Sequence, residues 1–287
     1  MAAQLTTTPK ADQNQKRRVK KPFMDIFGTV LLVILAIISL IALVLPMLVI
    51  VIVSFDVGPF LRFPPEVFSF ERYQAIFELN GFVESLFLSL RVAGIVVAAD
   101  LILGVPASIA LVRGNFPAKS FIIGFLQSPM MIPGIVVGIS LLFYMSFIGV
   151  NVSVFLMTIS HIVITMPFLT NITYARMRSA DPVLEDAARD LGANRWKVFQ
   201  HIVLPHLLPG IIGGSAFAFL LSFTNLPTSI FTAPILDVPM PVYLFRLMIY
   251  NINPIVAPIA TLQIVLTLII LIIGNKTVGT GGLMGIE

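Results

Sequence analysis

Long stretches of this sequence contain no Asp, Glu, Lys or Arg, among them residues 27–54, 120–170, 207–232 and 255–274. A helix needs about 20 apolar residues to cross a hydrocarbon core of about 30 Å. The chain is 57% hydrophobic and 11% charged, whereas soluble domains average about 25% charged residues. A transmembrane β-barrel would show alternating segments of about ten residues, a pattern that this sequence lacks. We therefore predict an all-α, polytopic membrane protein.

Six transmembrane helices are predicted, at residues 27–54, 84–112, 120–148, 151–170, 207–232 and 255–274. The first follows a basic segment but exceeds the apolar region of a signal peptide, so we expect an uncleaved span. Pairs of glycines four residues apart predict close helix packing; they are Gly134 with Gly138, and Gly210 with Gly214. The expected organisation is one transmembrane domain, 25–275, between a basic tail, 1–24, and a C-terminal tail, 276–287.

The distribution of lysine and arginine predicts the orientation. Basic residues crowd the chain before the first span, between spans two and three, and between spans four and five. Basic residues concentrate in cytoplasmic loops. We therefore expect both termini and the loop 171–206 on the cytoplasmic side. Segments 55–80 and 233–254, rich in aromatic residues, are expected to lie at the outer surface.

The loop 171–206 contains a short charged segment with strong helix signals. Asp181 is a good N-cap, and Pro182 follows at the first helical position. Gly192 suits the left-handed conformation that ends a helix. Asn194 is expected to cap a second helix, Arg195 to Val203, before Leu204 and Pro205 turn the chain back into the membrane.

On the first of these helices, helical spacing places apolar residues on one face, namely Val183, Leu184, Ala187, Ala188 and Leu191. A helix of about ten residues is too short to be stable alone. This face therefore packs either on the protein's own surface or in a narrow groove of a partner, to which small alanines are suited.

The segment "EDAARDLGANRWKVFQHIVLP" resembles the EAA motif of permease subunits of binding-protein-dependent ABC importers, which have the MetI-like fold. The motif is Glu-Ala-Ala, three residues, Gly, nine residues, then Ile-x-Leu-Pro. The matching residues are Asp186, Ala187, Ala188, Gly192, Ile202, Leu204 and Pro205. One position departs, because Asp186 stands where the motif has glutamate. The segments "FSFERYQAIF", "ESLFLSLRVAGIVVAADLILGVPASIALVRGNF" and "LPGIIGGSAFAFLLSF" are similar to spermidine/putrescine-type permeases.

The resemblance implies that the loop helix is a coupling helix, which inserts into a groove on a separate ATP-hydrolysing subunit. The residues expected to couple are Glu185, Asp186, Ala187, Ala188, Gly192, Ala193, Leu204 and Pro205. The implied partners are two ATP-binding subunits, a second permease subunit of a different sequence and an extracytoplasmic solute-binding protein. The implied location is the bacterial inner membrane, with lipid around the spans.

The sequence predicts no catalytic site, cofactor or metal site, and no nucleic-acid binding. A phosphate-binding loop needs a Gly-Lys pair, which Gly274-Asn275-Lys276-Thr277 lacks, so this chain is not expected to be an enzyme. His161, His201 and His206 show no metal-ligand spacing, and the chain contains no cysteine.

Candidate residues for the solute path are polar groups within spans. Asp100 lies near the middle of span two, where an ionisable residue is a functional candidate; it either lines the path or is a buried carboxylate satisfied by neighbouring helices. Thr224, Asn225 and Thr228 either hydrogen-bond a solute or satisfy a kink beside Pro227. Polyamine-type permeases often carry acidic residues where Thr224 and Asn225 stand, and the absence of such residues here weakens a polyamine assignment. The family resemblance implies a solute that is polyamine-like or another small polar compound.

Two rival functions stay open at this point. A secondary transporter driven by an ion gradient would show internal repeats and ionisable residues at the midplane; Asp100 alone supports it. A structural membrane subunit without a transport role would not need the loop 181–205.

Overall fold

The computed structural model describes residues 23–250 and 253–278. Within these ranges the chain is helical, and the described residues form no β-sheet beyond a single antiparallel bridge between Asp56 and Phe68. The predicted tails, 1–24 and 276–287, lie outside the described residues except for the few that continue the first and last helices.

The chain divides into two units between Val49 and Ile50. The described part of the first unit is helical and belongs to α1, Phe23–Val53. The second unit contains the remaining helices, which are α2 (Glu71–Glu78), α3 (Phe82–Arg113), α4 (Lys119–Gln127), α5 (Gly134–Phe147), α6 (Val154–Ser179), α7 (Pro182–Asp190), α8 (Arg195–Val198), α9 (Leu204–Phe223), α10 (Ser229–Thr232), α11 (Met240–Tyr250) and α12 (Val256–Val278).

Among the described residues, five helical stretches are long and apolar enough to span a membrane, namely Gly28–Val53, Phe82–Arg113, Val154–Ser179, Arg195–Phe223 and Val256–Gly274. The predicted third span, 120–148, is instead two helices, α4 and α5, bent by 107°. Counted as one broken span, this pair gives the predicted six. Ile132 at the break is extended, with ψ 130°, because the following Pro133 disfavours the helical conformation before it.

The fifth predicted span also differs from the expectation of one helix over 207–232. The helix ends at Phe223, and α10 is separate. At its other end the predicted turn at Leu204 and Pro205 is wrong. A π-helical segment, Phe199–Val203, joins α8 directly to α9. This wider helix ends two residues before Pro205, whose missing N–H interrupts the ordinary hydrogen-bond pattern.

The core of the second unit is the packing of α3, α6 and α9, with α12 against α9. Small residues set the close approaches, as the paired glycines predict. A Cβ on Gly138 would lie 3.0 Å from the Cα of Thr228, and one on Gly214 would lie 3.3 Å from the Cα of Leu169. A further cluster joins α2, α3, α11 and α12 around the fully buried Phe82.

Candidate functional site

The loop helix α7 has the ends that the sequence predicts. The Asp181 side chain accepts a hydrogen bond of 3.0 Å from the Val183 amide, and Pro182 is the first helical residue. Gly192 follows the helix with φ +86°, a conformation that strains any residue with a side chain. Asn194 caps α8 by accepting a hydrogen bond of 2.9 Å from the Lys197 amide.

The apolar residues of α7 do not form one buried face. Ala188, together with Ala193 after the helix, packs against a buried cluster of Met177, Val198, Val203 and Leu207. The larger side chains point away from that cluster, with exposed fractions of 65% for Val183, 59% for Leu184 and 90% for Leu191. Ala187 is exposed as well. Within the described chain, therefore, much of the apolar surface of α7 is uncovered.

A partly buried ion pair joins α7 to the end of α3. Glu185 is 7% exposed, and one of its oxygens lies 2.7 Å from Nη2 of Arg113 and accepts a hydrogen bond of 2.9 Å from Nε of Arg113. Arg113 is the last residue of α3, and its Nη2 also donates to the Ala180 carbonyl at 3.0 Å. The prediction of orientation used the basic residues between spans two and three, of which Arg113 is one, but the sequence did not reveal this contact.

Asp186, which stands at the glutamate position of the motif, faces outward. Its carboxylate accepts a hydrogen bond of 3.0 Å from Nη1 of Arg189, and its side chain is 69% exposed. Arg189 also lies 3.6 Å from the other oxygen of Glu185. The two adjacent carboxylates therefore have different environments: Glu185 is buried and paired within the chain, whereas Asp186 is exposed to solvent.

Asp100 is fully buried between α3 and α6. One carboxylate oxygen accepts a hydrogen bond of 2.6 Å from the Thr165 hydroxyl, and the other has no partner among the described residues. This placement favours the alternative of a carboxylate held by neighbouring helices, while a role on the solute path stays a prediction.

The polar residues around Pro227 satisfy the helix break. Asn225 accepts a hydrogen bond of 3.1 Å from the Thr228 amide, and the Thr228 hydroxyl donates to the Gly134 carbonyl at 3.2 Å. The exposed Thr224 hydroxyl donates to the Leu220 carbonyl of its own helix at 2.7 Å. The breaks in the third and fifth predicted spans thus pack against each other, and these contacts favour the kink-satisfying alternative.

The histidines have structural contacts. His161 is buried, and its two ring nitrogens lie 2.9 Å from the Ser222 hydroxyl and 2.8 Å from the Ser229 hydroxyl. His201 and His206 hydrogen-bond main-chain carbonyls in the loop. In the parts of the chain that the structure describes, no cluster of His, Cys, Asp or Glu has the arrangement of a metal site.

A cavity of about 840 Å³ lies beside the Phe82 end of α3. Its walls include Glu84 and Arg91 of α3, Asp237 before α11, and Tyr243 and Arg246 of α11. Burial raises the pKa of the Tyr243 phenol, and the negative charge of Glu84 raises it further. Sequence reasoning missed this cavity, because its walls come from segments about 150 residues apart and no local pattern joins them.

Comparison with known proteins gives a consistent assignment. Residues 100–275 match the family described as "Binding-protein-dependent transport system inner membrane component". The spermidine/putrescine transport system permease protein PotC of Shigella flexneri is 28% identical over 244 residues, covering 83% of this chain and 92% of that protein. The putrescine transport system permease protein PotI of Escherichia coli K12 is 30% identical over 224 residues, covering 76% and 79%.

Among solved structures, a bacterial ABC transporter involved in the import of the acidic polysaccharide alginate has a chain with the same fold. The TM-score is 0.69 at 19% sequence identity, and the match covers 88% of this chain and 96% of that chain.

Proposed function

We propose that α7 is the element that couples this chain to ATP hydrolysis on a separate subunit. The chain belongs to the family of binding-protein-dependent transport system inner membrane components and is a multi-pass permease subunit of an ABC importer. Membership of this family sets aside both the gradient-driven carrier and the structural subunit without a transport role.

The uncovered apolar surface of α7 is the observation that carries this proposal. Val183, Leu184 and Leu191 are exposed, although a nine-residue helix needs tertiary contacts to be stable. Apolar surface of this kind marks a place where a partner docks. The small side chain of Ala187 between these residues leaves room for a close approach by a groove on an ATP-binding subunit.

Five of the eight predicted coupling residues divide into two groups. Asp186 and Ala187 face the partner, whereas Glu185, Ala188 and Ala193 hold α7 on the permease. Gly192 ends the helix, and Leu204 and Pro205 belong to the continuous helix from α8 into α9.

Movement of α7 can reach the membrane helices through two connections. The Arg113–Glu185 ion pair connects α7 to α3, and the π-helical segment connects the loop helices to α9. Both α3 and α9 pack on α6. ATP-driven closure of the partner subunits would displace α7, and this displacement would shift the helices between states that bind ATP with different affinity.

The assembly we propose contains two ATP-binding subunits, a second permease subunit of a different sequence and a solute-binding protein outside the membrane. Both termini and α7 lie on the cytoplasmic side, as the basic residues indicate. The transmembrane domain comprises residues 25–275, and this chain contributes no catalytic residues.

The solute we propose is polyamine-like or another small polar compound. Relatives named for spermidine and putrescine support this class. Asp100, Thr224, Asn225 and Thr228 are proposed for the path, with Thr224 best placed because it is exposed, whereas the other three are buried.

A pair of substitutions at Ala187 tests the coupling proposal. Ala187→Trp adds bulk on the outward face without a clash inside the chain, because Ala187 is exposed; Ala187→Ser keeps the side chain small. In the reconstituted complex we expect Ala187→Trp to abolish ATP-dependent uptake and weaken retention of the ATP-binding subunit, and Ala187→Ser to preserve both. Equal uptake by the two variants would contradict the proposal.

A further inference from the structure

The cavity at the Phe82 end of α3 has charged groups that the chain itself does not neutralise. Glu84, Arg91 and Asp237 line it. In the described ranges, 23–250 and 253–278, none of these three side chains forms a hydrogen bond or an ion pair within 4.0 Å. Arg246 also lines the cavity; its Nη1 donates to the Ile235 carbonyl at 2.9 Å, which positions its guanidinium without neutralising the charge. The cavity wall thus carries two carboxylates and two guanidinium groups without an ion-pair partner in the described ranges, and Glu84, Asp237 and Arg91 also lack a hydrogen bond.

Arg91 lies within a membrane-spanning helix. The 32 residues of α3 extend about 48 Å, which exceeds a hydrocarbon core of about 30 Å. Arg91 follows the first residue of α3 by about 13 Å of helix rise and therefore lies near the edge of the core. Charged residues at such depth face a water-filled space or a charged partner. The cavity supplies that space.

Glu84 and Arg91 share one face of α3. Seven residues separate them, which is two helical turns and about 10.5 Å along the axis. Leu88 lies between them on the same face and also lines the cavity. Asp237 belongs to a different segment of the wall. Along α3 the wall therefore presents the Glu84 carboxylate, an apolar patch and then the Arg91 guanidinium.

We propose that this cavity binds a small amphoteric organic solute, one that carries both an ammonium group and a carboxylate or other anionic group. The ammonium donates hydrogen bonds to the carboxylates of Glu84 and Asp237, and the anionic group accepts hydrogen bonds from the guanidinium of Arg91. The volume of about 840 Å³ lies within the range of small-molecule sites, roughly 300–1,000 Å³. The proposal rests on the proposed function and narrows it: of the two solute classes proposed there, it favours a small polar compound with both signs of charge over a polyamine.

Solutes with one sign of charge are disfavoured at this site. A polycation that fills the cavity meets the guanidinium of Arg91, and a polyanion meets the carboxylates of Glu84 and Asp237. Like charges brought together in a partly dehydrated site oppose binding and so provide selectivity. Only a solute with both signs satisfies all three groups.

The experiment uses the absence of cysteine in this chain. Phe87→Cys places one thiol at an exposed position of the cavity wall, and Leu88→Cys is a second variant at the wall. Phe77→Cys, on α2, is an exposed control outside the lining of the cavity. The complete complex in lipid nanodiscs, without ATP, is labelled with a neutral maleimide, and the labelling rate of this chain is measured.

Three five-carbon probes differ only in their end groups: 5-aminovalerate, cadaverine and glutarate. We expect 5-aminovalerate to protect the cavity thiols at a concentration at least about tenfold lower than either of the others, as one additional charged hydrogen bond provides. Combining Arg91→Gln with the same thiol should remove its advantage over cadaverine. Labelling of Phe77→Cys should not change with any probe.

Three results would overturn the proposal: no labelling of either wall thiol, no protection by any probe, or protection by cadaverine or glutarate equal to that by 5-aminovalerate. The experiment needs no ATP and therefore reports on the cavity alone. Failure of the coupling proposal would appear separately, as uptake that survives Ala187→Trp.

Discussion

The two ends of α3 carry charged residues that the fold treats in opposite ways. At the Arg113 end, the guanidinium is paired with Glu185, which is 7% exposed, and contacts the Ala180 carbonyl. At the Phe82 end, Glu84 and Arg91 have exposed side chains beside a cavity. A buried, paired charge fixes one segment against another, whereas an exposed charge on a cavity wall stays available to a ligand.

This contrast assigns different work to the two ends of one helix. We propose that the Arg113 end transmits the movement of α7 to α3, because the Arg113–Glu185 ion pair joins the two helices. We propose that the Phe82 end recognises the solute, because Glu84 and Arg91 have no ion-pair partner within the described chain. Substitutions at the two ends should therefore differ in what they damage: stability and coupling at one end, selectivity at the other.

The largest effect on stability is expected from Arg113→Ala. This change leaves the buried Glu185 without its hydrogen-bonding partner, and truncating one member of a hydrogen-bonded, buried charge pair costs about 2–5 kcal/mol. Unfolding in mixed detergent micelles would measure the loss. Arg189→Ala is the matched control, since Arg189 lies 3.6 Å from Glu185 with a half-exposed side chain; an equal loss in both variants would remove the special role of Arg113.

A smaller loss is expected where α7 ends, from Gly192→Ala. Gly192 has φ +86°, and a residue with a Cβ in that conformation costs about 1–2 kcal/mol. The control is Gly124→Ala, because Gly124 has no such φ and no neighbour within 4 Å of an added Cβ. The same unfolding measurement applies, with a reduced rate of uptake as a second readout. Equal stability of the two variants would contradict the argument.

The start of α7 should be less sensitive still. Asp181→Ala removes the side chain that accepts from the Val183 amide, and loss of an N-cap costs about 1 kcal/mol. Asp190→Ala, at the other end of the same helix, removes a carboxylate without removing the cap. Hydrogen exchange of the α7 amides should rise in the first variant and stay near the wild-type rate in the second.

The smallest effect on stability is expected from Arg91→Gln. An exposed residue without a partner contributes within about 0.5 kcal/mol, so the variant should unfold like the wild type even though its cavity loses selectivity. A loss comparable with that of Arg113→Ala would show that Arg91 is a structural residue, and the contrast between the two ends of α3 would disappear.

The parts of this fold that sequence reasoning predicted have local signals. Asp181 and Gly192 mark the ends of α7 because capping and left-handed conformations depend on a few neighbouring residues. The bend between α4 and α5 has no equally specific signal. Pro133 lies at that bend, yet Pro106 and Pro167 lie inside the continuous helices α3 and α6, so proline alone does not predict a break.

The contacts that sequence reasoning missed join distant segments. Glu185 meets Arg113 across 72 residues, and Glu84 shares a cavity with Asp237; neither pairing follows from periodicity. The outward surface of α7 was also only half predicted, since helical spacing identifies an apolar face but not which part of it the chain covers. Ala188 packs against the chain whereas Leu184 is exposed, and this difference depends on the packing of the folded chain.

The measurement that tests the central claim most directly is a charge exchange at the Arg113–Glu185 pair. In the reconstituted complex, uptake per ATP hydrolysed is compared among wild type, Arg113→Glu, Glu185→Arg and the double variant. The account predicts that each single change lowers this ratio at least about tenfold, as loss of a buried charge pair implies, and that the double variant recovers most of it. Single variants that fold and keep the wild-type ratio, or a double variant no better than either single one, would contradict the claim that this pair transmits the movement of α7.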